Sequence, residues 1–289
     1  MSATRPSGAW GFVLAGTAWL VQFMTASDRT TPQAPFAVSF SLLTSDFQTF
    51  TYCQKFKRDP LWVKLFVGML VILDVASSVL TVAWMYRLFI EGHGDITMLA
   101  KANPLSAAVN AAIGLTQCTV QLFFAGRLHI IATPYPGLTQ PSIFSWRNFM
   151  ITKQHWLTVF ICICSLLTLV GDVGTGIASL RVEDYRHLAS IAPIALTSGF
   201  STIVTDALIT LAMTYHLHRA KGTFARTDRF LDHIIQLTLQ NGSLTTLTAI
   251  LDVTLYLSSP EPYFIAGTLV LPKLYVNSAL SSLNARRHL

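Results

Sequence analysis

Several ionisable residues lie inside long apolar stretches of the sequence, where charged side chains are uncommon. The stretch LVILDVASSVL contains Asp74 among residues that suit a lipid-facing or tightly packed helix. Asp172, Asp206, Asp252 and Lys273 interrupt other apolar stretches in the same way. An ionisable group inside a membrane-spanning helix is costly unless it meets a partner or water, so by default it marks a candidate functional site.

The composition indicates that these stretches belong to a membrane protein. Of the 289 residues, 52% are hydrophobic and 12% are charged, and the mean hydropathy is +0.51. The charged share is about half that of a typical soluble domain. One soluble core cannot hide an apolar excess that occurs in long blocks. The net charge is +6, but the basic residues are scattered through short loops, so we predict no nucleic-acid partner.

Seven apolar blocks predict one all-α integral membrane bundle of seven transmembrane helices, a single domain over residues 1–289. Most blocks reach the roughly 20 residues that cross about 30 Å of hydrocarbon as a helix. The predicted spans cover about residues 9–25, 61–89, 105–131, 155–180, 189–217, 230–257 and 263–284. The insert at 26–50 is either a loop with an interfacial segment or part of a broken first crossing.

The basic residues predict the orientation of the bundle. The loops after the first, third and fifth spans, together with the C-terminal tail, contain most of the Lys and Arg residues. By the positive-inside rule these loops and the C-terminus are cytoplasmic, and the N-terminus is outside. If residues 36–50 also cross, only the N-terminus changes side. The lipid bilayer is therefore a predicted partner, and both the plasma membrane and internal membranes fit this prediction.

Polar residues recur at helical spacing along most of the predicted spans. Because unpaired polar groups are costly in lipid, each polar stripe should face another helix or a wet cavity. Many such stripes only hold helices together, each hydrogen bond contributing about 0.6 kcal/mol. As secondary candidates for a site we take the strongest members of the stripes and the aspartates nearer the outer ends: Gln117, Gln121, Asp172, Asn241 and Asp252.

Depth along the predicted helices indicates which charges can meet. Counted from the cytoplasmic ends at about 1.5 Å per residue, Asp74 lies roughly 20 Å deep, Lys273 roughly 18 Å and Asp206 roughly 15 Å. We therefore hypothesise that Asp74 pairs with Lys273, and that Asp206 competes for the lysine or joins the pair. With Asn277, these residues form the primary candidate cluster. A structural lock and a ligand or proton site both fit it.

The C-terminal sequence LPKLYVNSALSSLNARRHL carries a family resemblance. It fits the pattern KLYxNSxLxxLNxR, in which Lys273, Tyr275, Asn277 and Arg286 stand at fixed positions. It resembles the end of a fungal, mainly basidiomycete, family of membrane proteins that contain domain of unknown function 6534. The resemblance covers roughly residues 46–287. It implies a seven-helix integral membrane protein, and it implies no particular activity, cofactor or site.

Two kinds of function fit these predictions, and we place a sensor or receptor-like protein slightly ahead of a small-molecule or proton-coupled transporter or channel. Seven spans and basic cytoplasmic loops favour a receptor with a small-molecule ligand and a cytoplasmic signalling partner. However, no acidic residue precedes Arg127 at the end of the third span, and the seventh span has no NPxxY motif. Mid-depth charges favour transport, although no inverted repeat is visible.

We predict neither enzymatic activity nor a cofactor. The sequence contains no HExxH arrangement, nucleophile elbow or phosphate-binding loop. Lys273 stands in the helix that carries the Schiff-base lysine of retinal proteins, but the residues around it do not resemble those of microbial rhodopsins.

Overall fold

The computed structural model describes residues 47–54, 60–87, 104–132, 144–182, 192–219, 225–258 and 264–285. Every regular element within these ranges is helical, which confirms the all-α prediction. The helices are α1 (47–54), α2 (Leu61–Tyr86), α3 (Pro104–Ala132), α4 (Phe144–Val182), α5 (Ala192–Arg219), α6 (Ala225–Ser258) and α7 (Phe264–Asn284). The predicted first span at 9–25 and most of the insert at 26–50 lie outside the described residues.

Four of the described helices are long and apolar enough to cross a membrane, judged by length and composition. The crossing segments are Leu61–Trp84, Pro104–Ile130, Trp156–Leu180 and Ala192–His218. Large apolar side chains also cover the outer surface of these helices, among them Ile72, Val170 and Leu211, each at least 65% exposed. These features indicate a membrane protein. The number of seven crossings and the orientation of the termini stay predictions.

Among the described residues, helices α6 and α7 are not counted with the four crossing segments, and α7 differs from those segments in its burial. Most of the described α7 side chains are buried among α2, α3 and α6. A helix surrounded by protein need not be apolar all round, because its polar groups can bond to neighbouring helices. α7 also contains Pro272, which cannot donate the backbone hydrogen bond to the carbonyl of Thr268.

Neighbouring helices in the chain pack against each other, and α7 closes the bundle by contacting both α2 and α3. At one end, the first turns of α2 meet the last turns of α7 through Val63, Val67 and Leu280. At the other end, Trp84 of α2 meets Leu269 of α7. The two helices are therefore antiparallel. We call the first of these the basic end, because most Lys and Arg residues of the sequence flank it, and the other the opposite end.

Two glycines allow the central helices to approach closely near the opposite end. A Cβ atom on Gly171 of α4 would lie 2.7 Å from the Cβ of Ser198 on α5. A Cβ atom on Gly114 of α3 would lie 2.9 Å from the Cβ of Asp172 on α4. Both distances are too short for carbon atoms, so only glycine fits at these positions without a shift of the neighbouring helix. The close contacts bring the polar faces of α3, α4 and α5 together.

Candidate functional site

The structure brings Lys273 and Asp74 together in a buried ion pair. Lys273 Nζ lies 2.5 Å from Asp74 Oδ1, and both side chains are 3% exposed. Lys273 also donates to the Asp74 carbonyl at 2.8 Å and to the hydroxyls of Ser77 and Ser78. The ammonium and the carboxylate are thus in direct contact, and further hydrogen bonds satisfy the ammonium group. A buried ion pair is tolerated under these conditions.

Asp206 lies in a second network, although the depth estimate grouped it with Lys273. Gln121 Nε2 donates to Asp206 Oδ1 at 2.9 Å, and the Tyr275 hydroxyl donates to Asp206 Oδ2 at 2.5 Å. All three side chains are at most 4% exposed. The hydroxyl and the amide satisfy both carboxylate oxygens, but neither supplies a formal positive charge. One turn of α3 and α5 further towards the opposite end, Gln117 Nε2 donates to Thr202 Oγ1 at 2.6 Å.

A small cavity of about 30 Å³ adjoins this second network on the side of the basic end. Asp206, Gln121 and Asn241 line it. The remaining primary candidate, Asn277, lines neither of the cavities described here, and its buried Oδ1 accepts no hydrogen bond from the residues that the structure describes. Asn277 stands one turn after Lys273 on α7.

A larger cavity lies near the opposite end, between α2 and the helices from α3 to α7. This large cavity has a volume of about 190 Å³. Three of the secondary candidates line it: Asp172 of α4, Asp252 of α6 and Gln117 of α3. Trp84 and Tyr256 supply aromatic surface. No Lys, Arg or His side chain is among the described residues that line the cavity.

Each carboxylate of the large cavity is only half satisfied. Ser198 donates to Asp172 Oδ1, and Thr268 donates to Asp252 Oδ2 at 2.9 Å. The other oxygens, Asp172 Oδ2 and Asp252 Oδ1, are buried and accept no hydrogen bond from any described residue. Buried acceptors normally have a partner, so an unsatisfied one calls for a specific explanation. Each aspartate therefore lacks a described donor for its second oxygen, and no described side chain that lines the cavity supplies a compensating positive charge.

At the basic end, Arg127 links α3 to α7. Arg127 of α3 donates to the Ser282 hydroxyl of α7 and stands over the Phe123 ring, with its guanidinium carbon 5.9 Å from the ring centre. No group of three or more His, Cys, Asp or Glu side chains within the described ranges is arranged to hold a metal ion. The polar chemistry of the described bundle is therefore concentrated in the ion pair, the Asp206 network and the large cavity.

The sequence reasoning did not identify several residues of the large cavity, notably Trp84, Tyr256 and Thr268. Their positions near span ends resemble those of ordinary interfacial aromatic and capping residues. The only signal was indirect: Asp172 and Asp252 stand at similar distances from the outer ends of their helices. Which other side chains share their space depends on how the helices are rotated, which one sequence does not reveal.

Comparison with known families supports the resemblance found in the sequence. Residues 202–288 match the model of a family described as a family of unknown function, DUF6534. This region extends from α5 through α7 and includes Asp206, Asp252 and Lys273. No curated protein and no solved structure matches the chain.

Proposed function

We propose that this chain is a seven-helix sensor or receptor-like membrane protein, and that its ligand is a small molecule held in the large cavity. The observation that supports this proposal is the position of the cavity in the bundle. It lies at the opposite end of the bundle and ends at a packed layer, where Leu70, Val120 and Tyr275 are buried. Among the described residues, this packed layer lies between the large cavity and the basic end.

The proposal includes an orientation in the membrane, with ligand binding at the opposite end and signalling at the basic end. We propose that the opposite end faces outside and that the basic end faces the cytoplasm, as the positive-inside rule predicts. A ligand among six helices would contact α7, which also carries Lys273 and the Ser282 contact to Arg127. A shift of α7 would then reach a signalling partner at the basic end. We propose a binding role and no catalytic one.

The second candidate function is transport of a small molecule or a proton. The small cavity favours it, because it lies directly beyond the layer formed by Gln121, Asp206 and Tyr275. Two cavities separated by one hydrogen-bonded layer fit an occluded carrier, in which that layer opens during the transport cycle. A sensor needs the layer to stay closed, whereas a carrier needs it to open.

A ligand screen on two cavity variants tests the proposed function. The full chain would be purified in detergent, and its melting temperature followed across a library of metabolites and lipids. Ala195→Phe places a ring in the large cavity, whereas Val204→Phe on the same helix adds it on the outer surface, where Val204 is 44% exposed. We expect ligands that raise the melting temperature of the wild type and of Val204→Phe but not of Ala195→Phe. Stabilisation that survives in Ala195→Phe would contradict a site in the large cavity.

Flux measurements then separate the two candidate functions. Ligands found in the screen would be loaded into proteoliposomes that contain the wild-type chain. A sensor is expected to bind them without releasing them across the membrane. Release that is saturable and lost in Ala195→Phe would favour the carrier.

A further inference from the structure

The charge of the large cavity narrows the chemistry of its ligand. Asp172 and Asp252 line the same cavity, and no described lining residue carries a positive charge. Two carboxylates at one buried site repel each other when both are ionised, and they attract any cation that reaches them. The excess of negative charge distinguishes the cavity from the ion pair, in which Lys273 balances the charge of Asp74.

The hydrogen-bond requirements of the cavity point to a donor with several N–H groups. Asp172 and Asp252 each have one oxygen that no described residue bonds. Gln117 is 3% exposed and lines the cavity; its nitrogen donates to Thr202, while no residue in the described ranges donates to its side-chain oxygen. A carboxylate can present either oxygen by turning about its broad terminal torsion. Asp172 Oδ2 lies beside Gly114 and Asp252 Oδ1 lies beside Gly267, so each carboxylate presents that oxygen to the cavity only after such a turn. With Gln117, the three side chains then match the three donors of a primary ammonium group.

The remaining walls of the cavity fit an organic cation better than an inorganic ion. Val109, Ile113 and Leu269 supply apolar surface, and Trp84 and Tyr256 supply aromatic rings. Aromatic faces attract ammonium groups, and the attraction is stronger where water is excluded. A cavity of about 150 Å³ holds a benzene ring. The cavity here, at about 190 Å³, has room for a ring with a short amine arm.

We propose that the large cavity binds a small primary amine in its protonated form, with Asp172 and Asp252 holding the ammonium group and Trp84 and Tyr256 contacting its apolar part. Gln117 supplies the third acceptor. This inference rests on the proposed function, because it takes the large cavity as the ligand site and adds the chemical class of the ligand.

Matched amines and alcohols test the charge requirement. The full chain in detergent is titrated with n-butylamine, cyclohexylamine and benzylamine, and with the alcohol that corresponds to each, at constant salt. Calorimetry gives the dissociation constants and melting curves give the stabilisation. We expect at least one amine to bind ten times more tightly or better than its alcohol. Binding of every amine no more tightly than its alcohol would overturn the proposal.

Isosteric variants test which carboxylates are responsible. Asp172→Asn and Asp252→Asn keep the shape of the side chain and remove its charge, so each should weaken amine binding by about ten- to a hundredfold and leave alcohol binding nearly unchanged. Asp206→Asn is the control, because it also removes a buried carboxylate but one outside the large cavity. An amine preference that persists when both Asp172 and Asp252 are replaced, or that disappears in Asp206→Asn alone, would overturn the assignment.

Two further outcomes separate this inference from the proposed function. If amines and alcohols bind equally and Ala195→Phe abolishes both, the large cavity is a ligand site but the amine class is wrong. If sodium chloride stabilises the chain through Asp172 and Asp252 and no amine competes with sodium, the site belongs to an inorganic cation and the inference is wrong.

Discussion

The bundle holds carboxylates in two contrasting environments, because Asp74 is buried whereas Asp172 and Asp252 are half-buried. Asp74 has a lysine at 2.5 Å and sits in a closely packed region. Asp172 and Asp252 have hydroxyl donors, one unsatisfied oxygen each and a cavity beside them. A buried ion pair is tolerated when both groups are fully bonded, because their attraction and hydrogen bonds repay the desolvation cost. Carboxylates without a counter-charge are not repaid in this way and persist where a ligand or a proton compensates. We therefore distinguish a structural lock, in which the protein itself supplies the counter-charge and the hydrogen bonds of the carboxylate, from a binding site, in which it does not.

Removal of the lysine should have the largest effect on stability. Lys273→Met leaves Asp74 buried without its cation, so we expect the free energy of unfolding in detergent to fall by about 3–5 kcal/mol. The double variant Lys273→Met with Asp74→Asn removes both charges and should recover part of that loss. If the double variant is as unstable as the sum of the two single variants, the two residues are not coupled and the lock is disproved.

Asp206 provides an intermediate case, because its donors are complete but uncharged. Tyr275→Phe removes the hydroxyl that donates to Asp206 Oδ2 at 2.5 Å. A hydrogen bond to a charged group contributes about 1.5–3 kcal/mol, so the unfolding free energy should fall by roughly that amount. In Tyr275→Phe with Asp206→Asn the loss should be smaller, and a loss that is the same with either residue at position 206 would assign the effect to packing.

A glycine substitution probes the position of the cavity carboxylate. Gly114→Ala brings a methyl group against Asp172, so we expect a loss of about 1–3 kcal/mol in unfolding free energy and weaker binding of cavity ligands. Gly126→Ala in the same helix is the control, because a Cβ atom there would meet nothing within 4 Å. It should be neutral or stabilise the chain by up to about 1 kcal/mol. Equal losses in both variants would mean that the backbone of α3, and not Asp172, is affected.

The smallest change in stability is expected at the cavity itself. Asp252→Asn removes a negative charge that has no positive partner among the described residues, so the unfolding free energy without ligand should change by less than about 1 kcal/mol or rise. The same variant should lose affinity for amines. A large loss of stability would show that Asp252 is part of a structural network. Asp252 would then have the same stabilising role as Asp74, which would contradict the proposed difference between them.

The sequence allowed the helices and the ion pair to be predicted better than the cavity. Long apolar blocks determine where helices lie, and similar depth along antiparallel helices led directly from Asp74 to Lys273. The same depth argument did not indicate the partners of Asp206, because depth does not reveal that α5 turns this residue towards Gln121 and Tyr275. The cavity depends on the rotations of α2 to α7 and on close contacts at glycines such as Gly114. Those are properties of helix pairs, and no pattern within one helix encodes them.

One matched pair of variants tests the central claim most directly. Asp74→Asn and Asp252→Asn each replace one carboxylate inside the bundle, buried at Asp74 and half-buried at Asp252, by an amide of the same shape. Their melting temperatures would be measured side by side without ligand. Our account predicts that Asp74→Asn melts several degrees earlier than the wild type, because Lys273 loses its counter-charge, while Asp252→Asn melts at the wild-type temperature or above it. Equal losses in the two variants, or a larger loss in Asp252→Asn, would contradict the distinction between a lock and a binding site.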